Sequence, residues 1–215
     1  MIRAIIFDLD NCLSAADEVG RDLLEPVFVA IRRANNGKLS GEALEEALAD
    51  CWYYPLDFVA REHGFSDEMF AAAWEVATRT EVKTPMRGYS DIGMLAELPA
   101  LLFLVTSGFR RYQESKIRAL GFERLFEAIY IDAIDDAARK GKQVIFKDIL
   151  TTYRFAAAEV LVVGDNPDSE IEAGNRLGII TVQILREGVS RGSNATHYVH
   201  HLGELKELMT AASPG

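Results

Sequence analysis

The sequence predicts an α/β fold, a doubly wound parallel sheet that carries an inserted all-helical domain. Two observations support this fold class. Short apolar runs rich in β-branched residues recur along the chain, and segments long enough to hold crossover helices separate them. Strands covered on both faces read as continuous apolar runs, so these runs indicate a parallel sheet with helices on both sides.

Five apolar runs predict the strands of this sheet, and a sixth, shorter run predicts a last strand before a final helix. Each run is bounded by polar residues or glycine, as strands between crossover connections usually are. The predicted strands are Ile2–Phe7, Leu101–Val105, Ala128–Ile131, Val160–Val163, Ile179–Ile184 and Tyr198–Val199.

The stretch between the first two predicted strands shows only helical periodicity. Two sets of apolar residues follow the spacing i, i+3, i+4, i+7, and Ser66 is a candidate N-cap for the second set. The sets are Leu44, Ala47, Leu48 and Cys51, and Phe70, Ala73, Trp74 and Ala77. Such a long helical block does not fit a single crossover. We therefore predict a core domain of residues 1–13 and 93–215 and a helical cap of residues 14–92.

Composition excludes some classes of partner. The chain has 215 residues, 49% of them hydrophobic and 26% charged, and a formal net charge of −10. This balance argues against a nucleic acid or an anionic membrane, since both require a basic face, but a small anion remains compatible with it. Cys12 and Cys51 have no metal-ligand spacing, and Asp8 interrupts the N-terminal apolar run too early for a signal peptide or membrane span. We expect a cytoplasmic protein, a monomer or a homodimer.

Polar residues that could carry chemistry follow several of the predicted strands. In an open parallel sheet, ligands bind beyond the carboxyl ends of the strands, so these residues should gather at one edge. They are Asp8 and Asp10 after the first strand, Thr106, Ser107 and Gly108 after the second, Gly164 and Asp165 after the fourth, and Lys140 and Lys142 ahead of a helix.

Three of these residues are carboxylates, and their gathering predicts a cation site. Asp8, Asp10 and Asp165 in one cleft would repel one another unless a divalent cation lay among them, and oxygen ligands suit Mg²⁺. Mg²⁺ together with a lysine and hydroxyl donors would bind a phosphoryl group and neutralise its charge during transfer. One carboxylate can then act as nucleophile, and a second can act as general acid and base.

The order and spacing of these groups resemble the motifs of the haloacid dehalogenase-like (HAD) superfamily of hydrolases with a helical, type 1 cap. The resemblance covers nearly the whole chain, and the superfamily core is a Rossmann-like sheet. Its motifs are matched by Asp8-Leu9-Asp10, by "LFLVTSG" with Thr106, by "RKGKQVIF" with Lys140, and by "VLVVGDNPDSE" with Asp165 and Glu170.

The resemblance implies a role for each matched residue. Asp8 would be the nucleophile and a Mg²⁺ ligand, and Asp10 the general acid and base, with its backbone carbonyl offered to the metal. The phosphate would be bound by Thr106, Ser107 and Lys140, and Lys140 would also stabilise the Asp8 carboxylate. Asp165 would bind Mg²⁺, and Glu170 would orient a metal-bound water or Lys140.

Three positions depart from the commonest pattern of the superfamily. Cys12 replaces Thr or Val, and we interpret it as structural, because its backbone rather than its thiol would face the site. Gly141 replaces the proline that usually follows the lysine, which leaves Lys142 as a second candidate. Glu170 replaces Asp and is one methylene longer.

The leading hypothesis is a Mg²⁺-dependent phosphatase that hydrolyses a small soluble phosphorylated metabolite through an aspartyl-phosphate. A phosphomutase of the same superfamily is the main alternative. A 2-haloacid dehalogenase would need neither Asp10 nor Asp165, since halide leaves without a proton or a metal. A non-enzymatic binding protein would be expected to lack Asp8 or Asp10, and both are present.

The sequence allows two interpretations for each of two further segments. The stretch "CWYYPLDF", residues 51–58, either packs inside the helical domain or lines the pocket, where Trp52, Tyr53 or Tyr54 would touch the leaving group. Arg110 and Arg111 follow the second motif and either attract an anion or lie on the surface.

Overall fold

A computed structural model describes residues 1–211 of the chain. Within these residues six strands form one parallel sheet in the order β3-β2-β1-β4-β5-β6. The strands are β1 (Ala4–Phe7), β2 (Leu101–Gly108), β3 (Ala128–Ala133), β4 (Val160–Gly164), β5 (Ile180–Ile184) and β6 (His197–Val199). The predicted doubly wound parallel sheet is confirmed, and each predicted strand is present with ends shifted by a few residues.

Helices cover both faces of the sheet because its side chains alternate between two apolar clusters. Ile5 and Phe7 of β1 point into one cluster, and Ala4 and Ile6 point into the other. After β2 the helices are α5 (Arg110–Leu120), α6 (Lys142–Tyr153), α7 (Glu172–Arg176) and α8 (Glu204–Ala211). Helices α5 and α8 pack on the first cluster, and α6 and α7 pack on the second.

Four α-helices lie between β1 and β2 in the described chain, where the sequence showed only helical periodicity. They are α1 (Glu25–Ala34), α2 (Gly41–Asp50), α3 (Leu56–Glu62) and α4 (Asp67–Ala77). Ser66 caps α4, as expected, since its Oγ accepts from the Met69 amide at 3.2 Å. These helices share a third apolar cluster with Phe109 and Ile134. The division into core and cap at residues 14–92 stays a prediction.

One carboxylate joins the two connections between this helical segment and the sheet. Glu18 lies on the first connection, and its oxygens accept from the Arg87 and Gly88 amides of the second and from the Ser14 hydroxyl. Both connections are thereby held together beside the end of β1. No helix among residues 1–211 combines the length and the apolar character that crossing a membrane would require.

Candidate active site

The predicted site residues line one cavity of about 900 Å³ between the carboxyl ends of the central strands and the helical segment. They are Asp8, Asp10, Thr106, Ser107, Lys140, Lys142, Asp165 and Glu170. The order of the strands explains the gathering. β1 lies between β2 and β4, with Phe7 beside both Leu104 and Val163, so the residues that follow these strands meet at one edge.

Asp8 extends the line of β1 into the cavity. Its backbone amide donates to the Val163 carbonyl at 2.9 Å, which continues the ladder with β4 by one residue. Its side chain is buried, and Oδ1 accepts from Lys142 Nζ at 2.8 Å. The carboxylate is therefore fixed in direction, and its second oxygen is left for another ligand.

Lys142, rather than Lys140, contacts the Asp8 carboxylate. Lys142 Nζ also donates to Glu170 Oε2 at 2.8 Å, so it joins two buried carboxylates. Lys140 Nζ instead pairs with Asp148 at 3.1 Å, and 60% of the Lys140 side chain is exposed. The contact with Asp8 that was expected of Lys140 is made by Lys142, because α6 begins at Lys142 and its first residue points back toward β1. The catalytic role of either lysine stays a prediction.

The turn before α6 explains why the second lysine enters the site. Gly141 has a φ of +82°, a backbone conformation that favours glycine, and its amide donates to Asp132 Oδ1 at 2.8 Å. A proline at this position would have no amide to donate. The glycine that replaces the usual proline at position 141 thus accompanies the contact of Lys142 with Asp8.

Glu170 is buried deep beside the end of β4. It lies in a short π-helical turn (Pro167–Ile171), and Oε1 accepts from the Asn166 amide at 2.7 Å. Gly164 makes room for it, since a Cβ atom there would lie 2.3 Å from Glu170 Cγ. Of the two roles considered for Glu170, the contact in the structure is the one with the lysine, now Lys142.

Three carboxylates of the site are spaced as ligands of a single cation. Asp8, Asp165 and Glu170 each offer an oxygen, and these oxygens lie within 4.8 Å of one another. The Asp165 carboxylate accepts no hydrogen bond from the described residues. Oxygen ligands of this kind fit Mg²⁺.

Burial and the close spacing of the acidic groups raise the pKa values of two carboxyl groups. Burial, opposed by Lys142 and reinforced by Glu170, raises the pKa of Asp8 to about 7. Burial and the neighbouring Glu170 and Asp8 raise the pKa of Asp165 well above its ordinary value. Without a cation, both groups therefore retain protons at a pH where exposed carboxyls have lost them.

These pKa values predict a pH-dependent stabilisation by Mg²⁺. The raised pKa of Asp8 means that the folded, metal-free protein holds more protons than the unfolded chain between about pH 4 and 7, so its stability falls as pH rises through this range. Cations bind the deprotonated carboxylates. We expect a hundredfold excess of Mg²⁺ over Kd to add about 3 kcal/mol at pH 8, or about 5–10 °C in Tm, and much less at pH 5.

Thermal unfolding at pH 5 and pH 8, with MgCl₂ or with KCl of equal ionic strength, measures this effect. An equal shift with both salts, or an equal Mg²⁺ shift at both pH values, would contradict a cation site made of buried carboxylates.

Asp10 lies in a different electrostatic environment from Asp8. Its Oδ1 accepts from Lys116, and its Oδ2 accepts from Gln113 Nε2 at 3.1 Å. Lys116 and Gln113 lie on α5, the helix that follows the Thr106 motif, and the sequence interpretation missed both. One signal was available: α5, "RRYQESKIRAL", has too few apolar residues to cover a sheet face without burying polar ones.

Asp132 is a third missed residue, and it connects two motifs. It follows the predicted third strand directly, so the rule that singled out Asp8 would also have singled it out. Its Oδ2 accepts from Ser107 Oγ at 3.2 Å and from Arg139 Nε at 2.9 Å. Arg139 Nη1 then donates to Asp57 Oδ2 of α3 at 2.6 Å. The helical segment is thus linked to the turn that positions Lys142.

The structure shows where the two segments with two interpretations each are located. Trp52, Tyr53 and Tyr54 line the cavity, and Trp52 also packs edge-on against Phe28. Contact of these rings with a leaving group stays a prediction. Arg110 pairs with Asp136 and Arg111 with Glu81, and neither arginine lines the cavity. Both arginines are therefore surface residues.

Cys12 is structural, as interpreted. Its thiol is fully buried, and Sγ donates to the Val163 carbonyl at 3.6 Å. Burial raises the pKa of the Cys12 thiol, which keeps it neutral. Its carbonyl accepts from the Arg186 guanidinium at 3.0 Å, and this contact holds the turn after Asp10 in place.

A buried lysine joins two carboxylates at the carboxyl edge of a parallel sheet, which is where α/β proteins of this class bind small ligands. Comparison with known proteins specifies the class. A family model described as haloacid dehalogenase-like hydrolase matches residues 2–178. The chain belongs to this family of hydrolases.

One relative in sequence and two solved structures of similar fold show what the chain resembles. A protein from Methanopyrus kandleri named glyceraldehyde 3-phosphate phosphatase is 26% identical over 206 residues, which cover 86% of this chain and 85% of the relative. The HAD phosphatase from Thermococcus onnurineus is 22% identical, with a TM-score of 0.65 over 97% of this chain and 98% of its own. The L-2-haloacid dehalogenase from Xanthobacter autotrophicus is 18% identical, with a TM-score of 0.61 over 99% and 100%.

Proposed function

We propose that this protein is a Mg²⁺-dependent phosphatase that hydrolyses a small phosphomonoester through an aspartyl-phosphate on Asp8. The observation that carries the proposal is the arrangement around Lys142, which holds Asp8 at 2.8 Å beside a cluster of carboxylates spaced for one cation. The presence of Asp10 and Asp165 supports phosphate over halide chemistry, and the name of the relative from Methanopyrus kandleri agrees with it.

The first step transfers the phosphoryl group to the protein. A carboxylate oxygen of Asp8 forms a bond to phosphorus, the bond from phosphorus to the ester oxygen breaks, and its electron pair remains on that oxygen. Asp10 gives the departing oxygen a proton and becomes a carboxylate. Thr106 and Lys142 bind the phosphoryl oxygens. A bound Mg²⁺ would neutralise charge on the phosphoryl group and bring it close to Asp8.

The second step hydrolyses the aspartyl-phosphate. Asp10, now a carboxylate, takes a proton from a water molecule whose oxygen attacks phosphorus. The bond between phosphorus and the Asp8 oxygen breaks, which releases inorganic phosphate and restores both carboxyl groups. One side chain thus serves as acid and then as base.

The helical segment favours a leaving group without a second negative charge. It contributes three acids and one base to the cavity lining, Asp50, Asp57, Glu62 and Arg61. Arg61 already pairs with Glu62 at 3.1 Å, so no unpaired cation of this segment faces the substrate. Aromatic and aliphatic side chains make up most of the rest of the wall. An uncharged leaving group, such as that of glyceraldehyde 3-phosphate, suits this wall better than a carboxylate.

A phosphate-release assay over a panel of phosphomonoesters tests the proposal. We expect turnover that requires Mg²⁺ and stops with chelator, and a kcat/KM at least about tenfold higher for glyceraldehyde 3-phosphate or glycerol phosphate than for the carboxylate-bearing phosphoglycolate. Absence of Mg²⁺-dependent turnover on the whole panel would exclude the phosphatase. Isomerised ester without free phosphate would favour the phosphomutase.

A further inference from the structure

Helix α5 directs two buried polar side chains at Asp10. Gln113 and Lys116 lie three residues apart and so share one face of the helix. Only 3% of Gln113 and 2% of Lys116 is exposed. Lys116 Nζ donates to Asp10 Oδ1, and Gln113 Nε2 donates to Oδ2 at 3.1 Å. Each oxygen of the carboxylate is therefore held by its own donor.

Stability alone does not account for these two residues. Lys116 is a buried cation whose Nζ contacts only Asp10 and Tyr112 among residues 1–209, and burial of an ammonium group opposes folding. Gln113 uses Nε2 for Asp10 and for the Ser107 carbonyl at 3.0 Å, while its buried Oε1 has no partner among the described residues. Buried polar groups left unpaired are destabilising, and proteins tolerate them mainly at functional sites.

The backbone at Gly108, which ends the Thr106 motif, makes room for the contact between Gln113 and Asp10. A Cβ atom on Gly108 would lie 2.7 Å from Gln113 Nε2, and the φ of Gly108 is +147°. Any other residue at this position would be strained and would displace the Gln113 amide. The glycine that ends β2 therefore permits a contact to the Asp10 side chain.

We propose that Lys116 and Gln113 are positioning residues that fix the Asp10 carboxyl group toward the ester oxygen of the substrate. The inference rests on the proposed function, in which Asp10 protonates that oxygen. Asp10 is 24% exposed at the cavity wall, and a free side chain there would sample several rotamers. A general acid works only within hydrogen-bond reach of its target. Held by α5, the carboxylate also stays out of the contacts that Lys142 makes with Asp8 and Glu170.

The dependence of rate on the leaving group separates this role from a structural one. The nitrophenolate of p-nitrophenyl phosphate leaves without a proton, whereas the alkoxide of glycerol phosphate needs one. The value of kcat/KM reports the steps up to phosphoryl transfer to Asp8, so hydrolysis of the aspartyl-phosphate does not mask the comparison. The variants are Lys116→Met and Gln113→Leu, with Asp10→Asn as reference and Arg118→Met, an exposed cation on the same helix, as control.

We expect kcat/KM for glycerol phosphate to fall about 10–100-fold in Lys116→Met and in Gln113→Leu, part of the roughly 10²–10⁴-fold that general acid catalysis contributes. For p-nitrophenyl phosphate the fall should stay within about threefold, because that ester needs no proton from Asp10. Gln113→Leu removes the unpaired Oε1 together with the two hydrogen bonds of Nε2, so its Tm, measured beside the kinetics, shows that the variant is folded. Arg118→Met should match the wild type on both esters.

Equal losses on the two esters, or no loss on either, would overturn the positioning role. If Asp10→Asn shows a selective loss on glycerol phosphate and the α5 variants do not, only the inference fails. If Asp10→Asn itself shows no selectivity, the proposed role of Asp10 fails and the inference fails with it. Gln113→Leu decides the matter should Lys116→Met not fold.

Discussion

Replacing Asp8 with Asn should abolish phosphate release, lowering kcat by roughly 10⁴-fold or more, as expected when a covalent nucleophile is lost. The amide keeps the shape of the side chain but cannot form the aspartyl-phosphate. Asp8→Asn should leave Tm nearly unchanged, because the substitution removes a carboxylate whose burial raises its pKa to about 7, and Lys142 keeps Glu170 as a partner. Asp8→Asn should therefore lose its activity and keep its thermal stability.

The covalent intermediate provides a direct readout for the same variant. Mass spectrometry of protein quenched during turnover should find one added phosphoryl group in the wild type and none in Asp8→Asn. Asp148→Asn is the matched control, since Asp148 is a half-exposed carboxylate on α6 that pairs with Lys140 outside the cavity centre. A phosphorylated Asp8→Asn, or one that retains more than a few per cent of kcat, would place the nucleophile elsewhere.

The fold and the cluster of acids were predictable because they depend on local patterns and on one rule of topology. The apolar runs identified the strands, and parallel strands bring their carboxyl ends together whatever lies between them in sequence. Asp8, Asp10 and Asp165 each follow such a run within three residues, so their gathering needed no side-chain geometry.

The site residues that the sequence did not reveal are positioned by where a helix begins and by how it is rotated about its axis. Whether Lys140 or Lys142 enters the site is set by where α6 begins, and that start depends on the bond from the Gly141 amide to Asp132. Lys116 meets Asp10 across 106 residues of chain, through the rotation of α5 about its axis. Periodicity gives a face of a helix but does not determine which buried polar residue will find a partner.

The second large effect on activity is expected when Lys142 is replaced. Lys142→Met should lower kcat/KM by about 10²–10³-fold, because it removes the charge that orients Asp8 and neutralises the phosphoryl group. It should also destabilise the metal-free protein by about 3–5 kcal/mol, since Asp8 and Glu170 would be left buried without a cation. Excess Mg²⁺ should recover part of that stability, because a cation among the carboxylates replaces some of the lost charge.

Lys140→Met is the matched control, with the same substitution two residues away. Its side chain is 60% exposed and pairs with a half-exposed Asp148, so the ion pair is screened by solvent. We expect kcat/KM within about twofold of the wild type and a Tm that changes by no more than about a degree. Steady-state kinetics and thermal unfolding of both variants, with and without Mg²⁺, measure these effects. A larger loss in Lys140→Met than in Lys142→Met would mean that the turn before α6 rearranges when substrate binds. In that case the short contacts of Lys142 with Asp8 and Glu170 would belong to a resting state rather than to the reacting one.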